Sequence, residues 1–496
     1  MKTCVRPEDC ASTDVCSPLT GLTTSVCIPG KVASPVVAAC PTQYVVTVGG
    51  TVPPSSPPLP LDKNGRPACQ KPVNPPALAP SRVQNFGTQK VGNIVHFNVP
   101  SGTYGLSILS QVVSAQTSIT LSAGVLDNAV VPDQLKDPKG ALLYNDLAST
   151  PSDVSQSLVT VLDPQASTSA LQLPNTSAML ALIKSNGSLT AGGWQFTVND
   201  YAYECALHPG SGSSLCSGGA TDGQYNVKVI INPASSRPTV DLAIYLASNQ
   251  TGTTAAAMKN NVNFKRMLDA YASIFSKIGL CVGKITLYDL PVWALTRYSQ
   301  LNIADTTDCG DFNQLLTLSV SNNTINLYLV DELVADNTGM TTVVGVDGSI
   351  PGPPALGGTI HSGAVVSMAN LSAGDCRAGL DFRSCGADTT GYIAAHESGH
   401  WLGLFHTSER NGDTFDALID TPQCVCGLCT SASRAALCQS ADPNTRTSVR
   451  PSDCNQSNVA CGGGDNLMFW LLDPPISTGT LSAEQNGIIL GSPSVH

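Results

Sequence analysis

At 496 residues the chain is too long for one ordinary core and implies two or three domains. Charged residues are only 12%, and the net charge of -11 is spread thinly with no basic patch, which argues against nucleic-acid binding and against electrostatic docking on a membrane. Apolar content is ordinary, so the composition is not that of a disordered chain, and no run of about twenty apolar residues predicts a membrane span.

Residues 1–40 read as a small disulfide-stapled module, because Cys4, Cys10, Cys16, Cys27 and Cys40 have few apolar residues between them to build a core. Residues 41–80 read as a semi-rigid spacer, carrying Val52-Pro53-Pro54-Ser55-Ser56-Pro57-Pro58 and Pro72-Val73-Asn74-Pro75-Pro76. The 18 cysteines fall into even groups. Six lie near the N-terminus, Cys69 being the last; local pairs follow at Cys205 and Cys216, Cys281 and Cys309, and Cys376 and Cys385; six more are Cys424, Cys426, Cys429, Cys438, Cys454 and Cys461. Even local groups predict disulfides and an oxidising location. No secretory apolar region follows Met1-Lys2-Thr3, so the expectation is a secreted or cell-surface protein whose leader is not in the numbered chain.

Residues 81–235 alternate as short strands, at Ile94–Val99, Trp194–Val198 and Tyr225–Ile231, with turn signals between them. That pattern predicts an all-β sandwich, an accessory domain suited to a surface or glycan contact. From residue 236 the pattern changes. Val240–Leu246 reads as a strand, and a helix is expected from Asn263 to Ile278 with Gly279 at its end. Strands around Lys284–Tyr288 and Ile325–Val330 follow, and Val365-Val366-Ser367-Met368 is the expected edge of the sheet. His361 reads as a turn or surface histidine.

The run from Gly391 to His406 contains three of the chain's seven histidines. His396 and His400 are four apart, so a helix sets both imidazoles on one face. Glu397 adjoins the first of them and is placed to act as a base without being a ligand. Gly403 takes a left-handed conformation at low cost, ends the helix, and lets the chain bring His406 back. Three neutral imidazoles with a fourth position left for water make an open zinc site of the catalytic type.

This His-Glu-x-x-His-x-x-Gly-x-x-His run resembles the metzincin metalloproteases, which also have a Met-turn after the helix. Asp465-Asn466-Leu467-Met468-Phe469-Trp470 is the matching stretch, with Met468 beneath the metal. Within that clan, Gly399–Thr407, Gly412-Asp413, Asp420-Thr421-Pro422 and Leu481-Ser482-Ala483-Glu484-Gln485 are similar to the pappalysin family. The likeness spans roughly residues 236–496. It implies an α+β catalytic domain: a twisted mixed sheet with the active-site helix, then an irregular disulfide-rich lower half. It implies a secreted zinc endopeptidase acting on a protein or peptide substrate. It also brings Asp413, Asp416, Asp420 and Asp465 in as candidates for a structural calcium. One departure is Trp470, where the family commonly has a tyrosine, so no tyrosine role carries over. In the lower half, Cys424-Val425-Cys426-Gly427-Leu428-Cys429 is read as part of three disulfides rather than a second metal site. Ser482 and Gln485 predict a capping box on a closing helix. A second reading is an extracellular binding or adhesion protein whose protease domain is inactive or processes only itself.

Overall fold

Runs of β-branched and aromatic residues form the strands, and turn chemistry separates them. The computed structural model describes residues 40, 44–52, 82–114, 119–121, 124–126, 130–144, 168–200, 216–217 and 223–496, apart from 306–309, 322, 336–342, 378, 441, 443–444 and 456–460. The backbone of three short strands before residue 30 is also described. The fold is mixed α/β, with several sheets and a disulfide-rich region.

Val45-Val46-Thr47-Val48 lies in the stretch expected to be a spacer, yet it forms strand β1 (Val45–Thr51). Eight of the strands that follow are β2 (Val83–Lys90), β3 (Ile94–Val99), β4 (Thr103–Ser114), β5 (Val130–Lys136), β6 (Leu142–Tyr144), β7 (Thr168–Leu173), β8 (Gly192–Asp200) and β9 (Gln224–Pro233). They make two antiparallel four-stranded sheets, in the orders β6-β5-β8-β3 and β7-β4-β9-β2. Strand β3 alternates strictly, turning Val95, Phe97 and Val99 inward. These meet Trp194 and Phe196 of β8 at ring separations of 6.0 and 5.9 Å from Phe97. Residues of both sheets share one core, with Leu171, Leu173, Val227 and Val229 facing β3 and β8. Helix α1 (Ser177–Asn186) leaves β7 and gives Met179 and Ile183 to that core.

The second body carries β10 (Thr239–Ala247), helix α2 (Val262–Ser276), β11 (Cys281–Asp289), β12 (Ile325–Val330), β13 (Gly345–Asp347), β14 (Ala364–Ser367), helix α3 (Gly386–Trp401) and helix α4 (Ala483–Gly491). Its sheet runs β13-β14-β12-β10-β11-β1, parallel throughout except at β13. Two expectations are corrected here. Val365–Ser367 lies inside the sheet, with all four residues of β14 buried, and the edge is β13. Residues 45–51 are the opposite edge of this sheet, not spacer.

Helix α2 starts where Asn261 accepts from the backbone N–H groups of Asn263 and Phe264, an N-cap that satisfies two orphan donors. Its apolar face, including Phe264, Met267, Tyr271 and Phe275, packs against the sheet and α3. Gly391 of α3 makes that contact close: an added Cβ would sit 2.5 Å from the Met267 carbonyl oxygen. At the start of α3, buried Asp388 takes two 2.6 Å bonds from the Arg266 guanidinium and one from the Asp381 N–H.

Five disulfides join described cysteines: Cys40–Cys281, Cys376–Cys385, Cys424–Cys454, Cys426–Cys438 and Cys429–Cys461. The last three occupy the region expected to hold them. The expected local pairing of Cys281 with Cys309 is overturned, because Cys281 is bonded to Cys40 and ties the residues ahead of β1 to the start of β11. Cys309, the side chains of Cys4, Cys10, Cys16, Cys27, Cys69, Cys205 and Cys216, and the proline runs at 53–58 and 72–76 lie outside the described residues. Among the described residues no helix is long and apolar enough to cross a membrane.

Candidate metal centre

Helix α3 presents His396 and His400 one turn apart, and then stops at Gly403, whose φ is +101°. The left-handed residue turns the chain so that His406 faces the first two. The Nε2 atoms of His396 and His406 are 3.3 Å apart, and those of His400 and His406 are 3.2 Å apart. Each Nδ1 faces an acceptor. For His396 it is the Leu467 carbonyl at 2.6 Å, for His400 the Leu404 carbonyl at 2.7 Å, and for His406 Glu409 Oε1 at 3.0 Å. A carbonyl only accepts, so the ring proton sits on Nδ1 and Nε2 is a bare lone pair. Lone pairs cannot hydrogen-bond to one another, so this convergence is one that a cation satisfies. Tetrahedral ligation with Zn–N of about 2.0–2.1 Å sets nitrogens roughly 3.3 Å apart, which these separations match. The donor set therefore fits zinc.

Burial holds the imidazoles of His396 and His400 neutral, as metal binding requires. It pushes His396 down to about 3, with the neighbouring His406 adding to the effect. His400 is driven well below its ordinary value by burial first and by the other two rings second. Glu397 follows His396 on the helix and is 6% exposed. Burial alone pushes its carboxyl up to about 8. A Cβ added at Gly345 would lie 2.3 Å from Glu397 Oε1, so a glycine at 345 lets the edge strand β13 come close to the Glu397 carboxyl where it stands.

The turn at residues 465–470 bonds to this arrangement. Leu467 accepts from His396, and the Met468 carbonyl accepts from the Thr407 N–H at 2.9 Å. Met468 is fully buried, and its sulfur would be 2.5 Å from a Cβ at Gly399. Asn466 and Gln485 exchange amide hydrogen bonds of 2.9 and 3.2 Å, tying the turn to α4. The predicted capping box is present there, with Ser482 and Gln485 each bonded to the other's backbone.

A cleft of about 560 Å3 is lined by the three histidines, by Val344 with Gly345 and Val346 of β13, and by Trp470, Leu471 and Leu472. Trp470 spends its indole N–H on the Val449 carbonyl at 2.8 Å, and Arg410 stands 6.0 Å over its ring. The nearby Tyr392 hydroxyl is bonded to the Asn466 carbonyl. His361 is buried in the turn before β14, with Nδ1 at 2.8 Å from the Gly348 carbonyl, and it does not line the cleft.

The calcium candidates are not brought together as a group of metal-binding atoms among the described residues. Asp413 pairs with Arg446, Asp420 accepts from the Ser482 hydroxyl and the Glu484 N–H, and Asp465 accepts from the Thr480 hydroxyl. Asp416 is buried and accepts from the Thr421 hydroxyl at 2.5 Å. Each carboxylate thus has a local structural task. The sequence reading misses Glu409, whose signal is the His-x-x-Glu spacing from His406, and it misses the β13 edge.

No family model matches the chain, and no curated protein matches it. Among solved structures, archaemetzincin from Methanopyrus kandleri aligns with a TM-score of 0.22 at 19% identity, over 35% of this chain and 78% of that one. Metalloproteinase-II from Bacteroides fragilis aligns with a TM-score of 0.21 at 14% identity, over 38% of this chain and 54% of that one.

Proposed function

We propose that the chain is a secreted zinc endopeptidase of the metzincin type, with His396, His400 and His406 as ligands and Glu397 as general base. The observation that carries it is the convergence of three Nε2 lone pairs, that of His406 lying 3.3 and 3.2 Å from those of His396 and His400, each ring's Nδ1 proton already committed, with a buried carboxyl beside His396. Zinc held there supplies Lewis acidity and lowers the pKa of a water toward about 7. Glu397 takes a proton from the attacking water and delivers it to the departing amine. The substrate lies extended along the free edge of β13, as an added strand, with its side chains reaching the apolar walls at Val344 and Leu472. Among the described lining residues no tyrosine hydroxyl is free to share the oxyanion charge, because Tyr392 is engaged, and the Trp470 indole N–H is engaged too. Five disulfides support an extracellular setting. The Gly399–Thr407 and Asp420-Thr421-Pro422 stretches favour the pappalysin branch.

The test is a digest of a denatured protein mixture by wild type and Glu397→Ala, with products read by mass spectrometry. New peptides from wild type, and turnover lower by roughly 10²–10⁴ in the variant, are expected from loss of the general base. Equal digestion by both would remove Glu397 from the chemistry, and no digestion by either would favour a binding protein with a spent site.

A further inference from the structure

The metal turn is held from outside its own domain. Strand β7 of the sandwich alternates, so Leu171 and Leu173 point into the sandwich core while Ala170 and Gln172 point out of the opposite face. That opposite face is not solvated. It packs on the second body, where Ala170, Leu109 and Ile230 meet Leu356, and Gly105 lies against Gly491 so closely that a Cβ would fall 2.0 Å from its carbonyl oxygen. Asn232 and Arg82 reach the carbonyls that end α4: Asn232 takes Leu490 and Ser492, and Arg82 takes Pro493 and Val495.

Gln172 is the contact of this face that reaches the ligand loop. It is 1% exposed, and its Nε2 donates to the Leu402 carbonyl at 2.8 Å and the Ile488 carbonyl at 3.3 Å. The chemistry fixes which way the amide points, because an amide oxygen turned toward two carbonyls would meet no donor. Leu402 closes α3, and the last carbonyls of a helix have no partner within the helix. The next residue is Gly403, and a Cβ there would meet Gln172 Nε2 at 2.6 Å. One residue further, the Leu404 carbonyl orients His400. Two residues beyond that stands His406.

We infer that Gln172 is a positioning residue for the metal centre: a side chain of the sandwich clamps the Leu402–Leu404 turn, and that turn sets the orientation of His400 and the return of His406. The inference rests on the zinc reading above. It makes the sandwich part of the metal site's supporting shell and not a detachable accessory.

The experiment measures zinc affinity in the full chain by competition with a chromophoric chelator, for wild type, Gln172→Met and Asn232→Leu. Methionine keeps the length of glutamine and loses the donor. Asn232→Leu breaks hydrogen bonds at the same interface without touching the ligand loop. The expected result is a loss of zinc affinity of about 10–100-fold in Gln172→Met, as for outer partners of metal ligands, with Asn232→Leu binding as wild type does. Wild-type affinity in Gln172→Met overturns the inference. Equal weakening by both variants overturns it too, since the effect would then be domain docking. Should Gln172→Met fail to fold, Gln172→Asn keeps the amide but draws it back by one methylene, and the same comparison applies. A wild-type chain that binds no zinc sinks the peptidase reading and this inference together, whereas zinc binding with an indifferent Gln172→Met sinks the inference alone.

Discussion

Glu409 shows how a single residue separates what local spacing reveals from what it hides. The three converging histidines and Glu397 are legible in the sequence because helical geometry turns spacing directly into shared direction. Glu409 is only three residues beyond His406, yet a carboxylate at that spacing from a histidine is common, and the signal becomes specific only where the structure puts it at 3.0 Å from Nδ1. Its effect follows from the bond. A carboxylate accepting from the far nitrogen fixes the tautomer, orients the ring and raises the basicity of Nε2. Glu409→Ala is therefore expected to weaken zinc by about 10–100-fold, while the fold is kept because the side chain is 43% exposed. Chelator competition checks the first part and far-ultraviolet circular dichroism the second. Unchanged affinity would reduce Glu409 to a surface residue. Trp470 belongs to the same scale: its identity is plain in the sequence, but its commitment to the Val449 carbonyl is not.

Among the elements, the long amphipathic and fully apolar ones were readable and the short edges were not. Helix α2 is found within two residues of its expected ends, and β12 spans Ile325–Val330 as read. Strand β14 reads as an edge because it is short, but an unbroken apolar run is the mark of a strand covered on both faces. The true edge, Gly345–Asp347, has only three residues and no periodicity to find. Strand β1 was hidden by its proline-rich surroundings, although its own residues are β-branched. The contact between α2 and α3 gives a prediction at this scale. Glycine inside a helix costs about 1 kcal/mol relative to alanine, so propensity alone favours Gly391→Ala. Against this, the new Cβ would lie 2.5 Å from the Met267 carbonyl oxygen and 2.9 Å from the Ala270 Cβ. Backbone cannot rotate away as a flexible side chain does, and overpacking of this kind costs about 1–3 kcal/mol. The clash should win: Gly391→Ala is expected to lower the unfolding midpoint in denaturant. A midpoint at or above wild type would mean that the helices part without cost.

For the whole molecule, strand and helix patterning indicate a sandwich followed by a body of mixed strands and helices, but not that the two share a buried face, nor that Cys40 crosses 241 residues to Cys281. The second half of β9 carries a trace of the docking, since Val229–Asn232 are all buried where its first half alternates. A cluster of carboxylates stands where the bodies meet. Ser177 of α1 donates to Glu484 of α4 at 2.5 Å, and the Ile419 N–H reaches both. Asp416 is buried beside them, with Asp420 and Glu484 as the charges acting on it. Burial pushes the Asp416 carboxyl from 3.8 up to about 8, the bonds from Thr421 and Leu418 opposing this and the two neighbouring carboxylates adding to it. Glu484 is raised as well, chiefly by burial. The folded state thus prefers the neutral acid, and the unfolded chain gives the proton up. The stability tied to Asp416 is fully present below its unfolded pKa, falls as pH rises through the interval to about 8, and is lost above it. Asp416→Asn removes the titration and keeps an oxygen for Thr421 and Leu418. Its melting temperature relative to wild type should therefore rise steadily from about pH 5 to about pH 8 and then level off. Scanning calorimetry of both chains across that range decides it. A difference that does not change with pH would show that Asp416 is ionised in the folded protein, and that Asp420 and Glu484 leave its charge undisturbed at the junction of the two bodies.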